Sequence, residues 1–525
     1  METYINGLIF TSDAVQPYAE AMIIDEGMIR WIGNMSSMPD NEGDIIDLGG
    51  KRVLPGFVDA HMHAAMLAKT LGQLACTPPG VKSNQELLDK ITKTEWPSGW
   101  IRGWGYDEQK MAEKRMLTRW DLDLATGDIP AVITRSCLHV CIANSTALRL
   151  AGIDSKTAAP PGGRIDLDEN GVPTGVLRES AMKLVTSLAP SPDRTESVRE
   201  LLALSTELAS YGITSVTEMM AGKGDFELFI AAKDAGFHQR CSLYYIWEEL
   251  DTSILSDAST DTSSQIFIGG AKLFADGSIT GRTAWVSPPY LGTDGQTGLR
   301  LSSREVMIQF CSFAKKAGIQ AAIHAMGEKA IEMAVQVFSE SGHWLGEEIC
   351  QRIEHASLPS AEVLKMASAR RIAMVPQPIF LFAEIEGYLF NLGIERTQKA
   401  YPIKTMLKKN IPVCISSDAP ATAWSVPHDP FTGIQACVTR KTYNGEDAGQ
   451  EERISTEEAI ILYTRKAAEI TRFSKTGQLS AGYRADFIIL DSDILAAIPD
   501  ELAETSVIKT YCGGRKIYDR YLPAT

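Results

Sequence analysis

The middle of the chain alternates between amphipathic helical segments and short apolar segments, and this alternation constrains the fold more than any other feature. The helix and strand pairs are ESVRELLALSTELASYG with ITSVTEM, SREVMIQFCSFAKKAG with IQAAIHA, EKAIEMAVQVFSESG with CQRIEHA, SAEVLKMASARR with IAMVPQP, and IKTMLKKN with IPVCISSDAP. Gly212, Gly318 and Asn410 lie just past predicted helix ends, where a left-handed C-cap residue is favoured. Helix, turn and buried strand in repetition predict a parallel sheet.

A closed barrel is favoured over an open sheet because so many of these pairs follow one another. No GxGxxG motif comes after an early strand, which argues against a dinucleotide-binding fold. Residues 64–190 do not alternate in the same way, so we predict that they form a large insertion near the front of the barrel.

The two ends of the chain differ from the middle because they alternate apolar and polar residues over short stretches separated by turns. The stretches are TYINGLIFTS, AEAMIIDEGMIRWIG and DIIDLGGKRVLPG at one end, and GQLSAGYRADFIILDSD and SVIKTYCGGRKIYD at the other. We therefore predict one small sheet domain built from residues 1–54 and 475–525, with the barrel occupying residues 55–474.

Composition restricts the partners and the location. The net charge of -15 argues against nucleic acid or an anionic membrane as the main partner. The sequence has no apolar run of about 18 residues, and METYINGLIFTSDAV lacks the pattern of a secretory signal. Nine cysteines are scattered without a CxxC motif, as expected for reduced thiols in the cytosol. We expect a cytoplasmic protein.

Four of the eight histidines stand at the C-terminal ends of predicted strands. They are His61 and His63 in LPGFVDAHMH, His324 in QAAIHA, and His355 in QRIEHA. In a parallel barrel those ends form the active face. His61 and His63 are two apart on a strand and can face one ion, for which neutral imidazole is a good ligand. A single histidine of this kind is usually structural, but four at equivalent positions indicate a metal site.

Two charged residues extend this set. Asp418 closes the predicted strand IPVCISSDAP, where a carboxylate needs a cation or hydrogen-bond donors, although it could also be a helix N-cap. Lys272 lies in the strand of IFIGGAKLFADGS, where an unpaired ammonium would be costly. One alternative is a salt bridge with Asp276. The other is a lysine that burial keeps neutral, which could take up carbon dioxide as a carbamate and bridge two metals.

The ordered set of these motifs resembles the amidohydrolase superfamily. More narrowly, the chain is similar to the YtcJ-like branch, which includes N-substituted formamide deformylases. The motifs that carry the likeness are PGFVDAHMH, GWGYDE, HVCIANSTAL, KLFADGSITGRTA, HAMGEKA, RIEHA and SSDAP. They extend over nearly the whole chain. The resemblance implies an α/β fold, namely a distorted (β/α)8 TIM barrel that carries a small β-sandwich formed from both termini.

The resemblance also implies a metal site and a mechanism. The residues that match metal ligands are His61, His63, His324, His355 and Asp418. Lys272 matches a carboxylated lysine that bridges two ions. The expected metal is zinc, as one or two ions. In this mechanism the metal activates a water molecule, and Asp418 takes its proton and returns it to the leaving nitrogen.

The branch implies a metal-dependent hydrolase of carbon–nitrogen bonds other than peptide bonds. The expected substrate is a linear amide, either an N-acyl or an N-formyl amine. Alternatives are a hydrolase of a cyclic amide, lactone or carbamate, and a metal-dependent decarboxylase or other lyase on the same ligands. A binding or regulatory protein with an idle barrel is disfavoured because all the ligand positions are filled. A homodimer is also compatible with such barrels, which often pair.

Several residues in the same motifs are candidates for substrate binding. They are Trp104, Tyr106, Asp107, His139, Ser278 and Arg282. Arg282 could hold a carboxylate or carbonyl group. Ordinary packing is the alternative for each candidate. Glu354 should point away from its neighbour His355 on the strand, and we predict that it is a structural partner of Arg352 instead of a base.

Overall fold

The computed structural model describes residues 1–40, 43–96, 98–136, 140–190 and 192–522. The chain divides into two compact units. One comprises Met1–Ala65, Leu201–Ala419 and His428–Thr525, and the other comprises Met66–Glu200 and Pro420–Pro427. The boundaries predicted at residues 54 and 474 stay predictions. Across the described ranges, no helix combines the length and the apolar character needed to cross a membrane.

The first unit begins with short strands and reaches the first barrel strand at its eighth. The strands are β1 (Glu2–Ile5), β2 (Leu8–Phe10), β3 (Tyr18–Ala19), β4 (Ala21–Asp25), β5 (Met28–Gly33), β6 (Asp44–Asp47), β7 (Arg52–Pro55) and β8 (Phe57–Met62). Among the described residues, β5, β4, β1 and β6 form a four-stranded sheet in that order, in which β1 is antiparallel to β4 and parallel to β6.

The second unit contains a sheet covered by short helices. Its elements run from α1 to the first part of α6: α1 (Ala64–Leu71), β9 (Leu74–Ala75), α2 (Asn84–Lys93), β10 (Ile101–Tyr106), α3 (Arg119–Thr126), β11 (Ala131–Arg135), β12 (Val140–Ala143), α4 (Ser145–Leu150), β13 (Gly163–Leu167), β14 (Pro173–Glu179), α5 (Lys183–Thr186) and α6 (Arg194–Ser210). In the described part of this unit the sheet order is β13-β14-β12-β11-β10-β9. Ile101, Leu122 and Ile133 belong to its apolar core.

The first unit continues with alternating strands and helices. These are β15 (Ile213–Ala221), α7 (Asp225–Ala235), β16 (Arg240–Ile246), β17 (Ile266–Phe274), α8 (Arg304–Ala317), β18 (Gln320–Ala325), α9 (Glu328–Ser341), β19 (Gln351–His355), α10 (Ala361–Arg370) and β20 (Ala373–Val375). Helices then follow: α11 (Pro378–Leu392), α12 (Ile394–Gln398), α13 (Ile403–Lys408), α14 (Pro430–Thr439), α15 (Thr456–Tyr463) and α16 (Arg465–Thr471). The last strands are β21 (Phe487–Leu490), β22 (Val507–Cys512) and β23 (Arg515–Asp519).

A parallel sheet forms the centre of this unit. Over the described residues it has seven strands in the order β20-β19-β18-β17-β16-β15-β8. Its strands are buried almost throughout, as expected when helices cover a parallel sheet. This is the α/β barrel that the alternation predicted.

The segment predicted as the last barrel strand is irregular. In IPVCISSDAP the only strand-like pairing among the described residues is an isolated bridge between Val413 and Met374 of β20. At its other end, the Asp418 N–H donates to the His61 carbonyl over 2.8 Å, and the His63 N–H donates to the Ala419 carbonyl. Asp418 has a φ of 55°, which a regular strand cannot include. The segment therefore joins β20 to β8 without a regular ladder.

Helix ends agree with the capping residues that the sequence predicted. Gly318 ends α8 in the left-handed region, as predicted, and at the start of that helix the Ser303 side chain accepts a hydrogen bond from the Val306 N–H. Gly212 and Asn410, with φ values of 75° and 55°, follow α6 and α13 in the same way. These turns set the direction in which each following chain segment enters the barrel.

N-terminal residues form the four-stranded sheet alone, and both termini contribute to a second sheet. In the described residues the second sheet has the order β23-β22-β21-β7-β2-β3, so strands from both ends of the chain pair directly. One apolar cluster holds Tyr4 and Met22 from the first sheet together with Val53 and Phe487 from the second. Phe487 stacks on Tyr511 at a ring-centroid distance of 4.3 Å. The termini thus share one core.

Candidate metal centre

The parallel register brings the predicted ligands to one end of the barrel. Phe274, two residues beyond Lys272, lies opposite His324, and Ala325 lies opposite His355. His61 and His63 lie at the end of β8, and Asp418 lies near the end of the irregular segment. Parallel strands end at a common edge, so side chains from distant sequence positions meet there.

Asp418 is the centre of this cluster. Its Oδ1 lies 3.2 Å from His61 Nε2 and 2.9 Å from His63 Nε2, and its Oδ2 lies 3.8 Å from His355 Nδ1. All of these side chains are buried. Burial favours the neutral acid, but the neighbouring His61 and His63 hold the pKa of Asp418 well below its usual value. These neighbours favour the carboxylate form of Asp418.

The donor set fits a cation. Within the described part of the chain, Asp418 Oδ1 is buried and has no hydrogen-bond partner, although two imidazole nitrogens lie close to it. His61, His355 and Asp418 each offer one ligand atom, and these atoms lie within 4.8 Å of one another. A buried carboxylate oxygen without a donor is costly. A divalent ion between the imidazoles and the carboxylate would satisfy it.

His324 and His355 lie side by side and are held in the neutral form. Their ring centroids are 4.4 Å apart. Burial and the nearby Lys272 lower the pKa of His324 to about 3. Burial, together with His324, lowers the pKa of His355 well below its usual value. Neutral imidazole is the form that binds a metal.

Lys272 is fully enclosed in the same cluster. Its Nζ lies 3.3 Å from His61 Nε2 and 4.9 Å from the centroid of the Phe274 ring. Burial lowers its pKa, although Asp418 and other carboxylates oppose the shift. The alternative of a salt bridge with Asp276 is not realised among the described residues. The Asp276 carboxylate instead accepts backbone N–H groups, among them that of Gly327 over 2.8 Å.

Glu354 lies closer to the centre than the sequence predicted. Its Oε2 is 2.6 Å from His61 Nδ1, and both of its oxygens accept hydrogen bonds from Arg352. The predicted pairing with Arg352 is confirmed, but the predicted direction away from His355 is wrong, because both side chains lie against His61. Burial opposes ionisation, yet Arg352 lowers the pKa of Glu354 strongly. A carboxylate on Nδ1 directs His61 Nε2 towards the other ligands.

The backbone explains this error. His355 and Ala356 have φ values of 69° and 46°, so the strand alternation ends at His355. Arg352 and Glu354 still follow the alternation and share one side of β19, whereas His355 leaves it. Neither the spacing nor the composition of QRIEHA predicts the left-handed backbone at His355. The contact between Glu354 and His61 therefore could not be found from the sequence.

Sequence reasoning also missed other residues that hold the ligands. Gln377 Oε1 lies 2.7 Å from His355 Nδ1, just beyond β20. Asp59 Oδ1 accepts the backbone N–H groups of His61 and Ser417, each over 3.2 Å. The Asp in PGFVDAHMH stood two residues before the first histidine and was a usable signal. Gln377 had none, because it lies outside any metal-binding pattern.

Comparison with known proteins agrees with this geometry. The model of the amidohydrolase family (Amidohydro_3) matches residues 44–518. The chain belongs to the amidohydrolase family. It is 29% identical over 531 residues to YtcJ of Bacillus subtilis (strain 168), covering 98% of both chains. It is also 29% identical over 545 residues to N-substituted formamide deformylase of Arthrobacter pascens, again covering 98% of each.

Solved structures support the same assignment. A metal-dependent hydrolase from Pyrococcus horikoshii OT3 superposes with a TM-score of 0.74 at 26% sequence identity, covering 95% of this chain and 99% of that one. This amidohydrolase is accordingly a metal-dependent enzyme, and the predicted family and class of activity are confirmed. The alternative of an idle barrel is set aside.

In this amidohydrolase, Ser278 and Arg282 belong to the loop between β17 and α8. The Ser278 hydroxyl accepts the Gly281 N–H over 3.1 Å. Arg282 donates from Nε to Asn391 Oδ1 over 2.5 Å, and its guanidinium lies over the Phe390 ring. Both residues hold the loop in place. Their contact with substrate stays a prediction.

The remaining substrate candidates lie in or near the second unit's sheet. Tyr106 is fully buried, and its hydroxyl accepts the Leu117 N–H and has its one proton shared between Asn84 Oδ1 and the Arg115 carbonyl, each 3.0 Å away. Asp107 pairs with Arg135 at 3.2 Å, and Trp104 is half-buried on β10. His139 lies outside the described residues. Substrate binding by these residues stays a prediction.

Replacing Glu354 with glutamine should weaken metal binding by about 10- to 100-fold, because the amide orients His61 less firmly than the carboxylate does. Calorimetric titration of metal into the metal-free protein measures the change in affinity. Glu348→Gln is a matched control, since Glu348 pairs with Arg472 at the surface. Equal affinities for the two variants would contradict the role given to Glu354.

Proposed function

We propose that this enzyme hydrolyses a linear amide, either an N-acyl or an N-formyl amine, with a metal-activated water. The observation that carries the proposal is the buried Asp418 oxygen, which lies between the imidazoles of His61 and His63 and has no hydrogen-bond partner among the described residues. Such a carboxylate is placed both to bind a cation and to exchange a proton with a molecule beside it.

The residues proposed to hold the metal are His61, His63, Lys272, His324, His355 and Asp418. When bound, a divalent ion supplies a water of lowered pKa and polarises the carbonyl group of the substrate. Asp418 accepts the proton that the attacking water loses and donates it to the leaving nitrogen. Water and amide are thereby converted into a carboxylic acid and an amine. Glu354 and Gln377 keep His61 and His355 oriented during the reaction.

We further propose zinc as the metal, with Lys272 carboxylated so that it can bridge two ions. The lowered pKa of the buried Lys272 supports this, because only a neutral amine adds carbon dioxide. The imidazole ligands suit zinc. Metal analysis of the purified protein should therefore give more than one zinc per chain when bicarbonate is supplied.

Similarity to N-substituted formamide deformylase supports the choice of substrate, because that relative's name describes cleavage of an N-formyl amine. The shared length supports it too, since the alignment covers both chains almost completely. Hydrolysis of the carbon–nitrogen bond of a linear amide is thus the reaction to test first.

A substrate panel tests this function. The zinc-loaded enzyme is offered N-formyl and N-acetyl alkylamines, a cyclic amide, a lactone, a carbamate and a carboxylic acid prone to decarboxylation. We expect release of amine and acid from the formyl or acetyl compounds, loss of turnover after chelation, and recovery on adding zinc. Full turnover in chelator would contradict metal dependence. Carbon dioxide without amine would identify a lyase. Turnover of the cyclic compounds alone would identify a hydrolase of cyclic amides or lactones.

We also propose that the two terminal sheets form a β-sandwich, which their shared apolar cluster supports. The cytoplasmic location and the homodimer stay predictions.

A further inference from the structure

A polar cavity lies at the opposite end of the barrel from the metal centre. It has a volume of about 260 Å³ and opens where β16 and β17 begin. Gln265, at the cavity, precedes Lys272 by seven residues on an extended chain, so the two sites are roughly 20 Å apart. We call it the basic cavity. It is thus separate from the metal centre.

Basic side chains dominate its wall. They are the cations Lys233, Arg240, Arg484 and Arg515, beside His238, whose pKa is lowered by burial and by Arg515; no Asp or Glu is among the described residues that line it. The chain as a whole has 66 acidic and 51 basic residues, so this local excess runs against its composition. Like charges that converge around a cavity create a strong positive potential, which attracts anions.

The nearby carboxylates leave most of this charge uncompensated. Arg240 is buried and pairs with Asp486 at 2.6 Å. Arg484 donates to the Ser263 carbonyl, and the carboxylates that act on it are Asp486, which already pairs with Arg240, and the exposed Asp261. Lys233 and Arg515 have no ion-pair partner within the described ranges. The pKa of Arg484 is lowered by burial and by Arg240, as expected for cations that face one another.

We propose that the basic cavity binds a phosphate group, either as free phosphate or as a small phosphate monoester. A dianion matches several converging cations better than a single carboxylate does, and guanidinium groups bind phosphate oxygens in pairs. The volume admits a phosphate group with its first substituent atoms. This binding does not depend on the reaction proposed for the metal centre.

An adjoining groove distinguishes the two sources of phosphate. It shares Lys233 and Gln265 with the basic cavity and has a volume of about 690 Å³. Phe226, Ile230 and Ile254 are among its lining residues. An apolar substituent of a monoester would bury carbon atoms there, whereas free phosphate would leave the groove empty.

Calorimetric titration of the zinc-loaded, full-length protein with inorganic phosphate and with butyl phosphate tests the proposal. We expect saturable binding that Arg515→Gln weakens about tenfold, because a charge-assisted hydrogen bond is lost. Lys516→Gln is the matched control: it removes the same charge from the next residue of β23, where Lys516 pairs with Asp519 at 2.9 Å. Thermal midpoints of both variants report on folding.

The outcomes separate clearly. Tighter binding of butyl phosphate, weakened by Ile230→Asn, identifies a monoester, and equal binding of both probes identifies free phosphate. Unchanged affinity in Arg515→Gln would overturn the proposal, because phosphate would then bind elsewhere, as at the metal centre. Equal weakening in Arg515→Gln and Lys516→Gln would overturn it as well, since only general attraction would remain. Absence of saturable binding in the unmodified protein has the same consequence.

Discussion

Replacing Asp418 with asparagine is expected to lower kcat by about 10²- to 10⁴-fold, the range that positioned proton transfer contributes. Asparagine keeps the shape of the side chain but cannot accept the proton of the attacking water. It also tolerates the left-handed backbone of this position, where φ is 55° and most other residues would be strained. The loss should therefore arise from chemistry and not from a damaged loop.

Steady-state turnover of the amide found in the substrate panel measures this effect, with metal content determined on the same samples. Asp491→Asn is the matched control, because Asp491 pairs with Arg520 at the protein surface. We expect its kcat to be unchanged. A variant at Asp418 that keeps its zinc and its full kcat would show that another group moves the proton.

Much of the barrel could be predicted because its signals are local. Helical periodicity, a C-cap such as Gly318 and a buried apolar run are each visible within about 20 residues, and burial on both sides forces parallel strands to be apolar. The irregular segment that contains Asp418 could not be predicted in this way. It is as apolar as a strand, but its hydrogen bonds join Asp418 to His61 and Ala419 to His63 at the end of β8, a pairing that depends on the closed barrel.

The metal centre shows the same division. Its histidines stand at strand ends, and the order of the barrel strands determines that such ends meet. The groups that orient them come from whichever side chain the closed barrel places within reach. Glu354 reaches His61, and Gln377 reaches His355, over sequence separations of 293 and 22 residues. Helix and strand periodicity do not predict contacts between residues so far apart in the sequence.

The buried pair of Arg352 and Glu354 yields the largest expected effect on stability. Arg352 is fully buried and donates to both Glu354 oxygens and to the Ala60 carbonyl. Replacing Arg352 with methionine leaves the Glu354 carboxylate buried without its ion-pair partner, although it keeps its contact with His61 Nδ1. We expect the free energy of unfolding to fall by about 3–5 kcal/mol, the usual effect of removing one member of a buried ion pair. Denaturant titration measures it.

The double variant Arg352→Met with Glu354→Leu separates charge from packing. Because no unpaired carboxylate remains, the double variant should be more stable than Arg352→Met alone. His61 Nδ1 then lacks its acceptor, so metal affinity should stay low while stability recovers. Additive losses of stability would contradict this account, since they would mean that Arg352 acts by filling space. Recovery of stability without recovery of metal binding would separate the two roles of Glu354: it compensates Arg352, and it orients the first histidine of the centre.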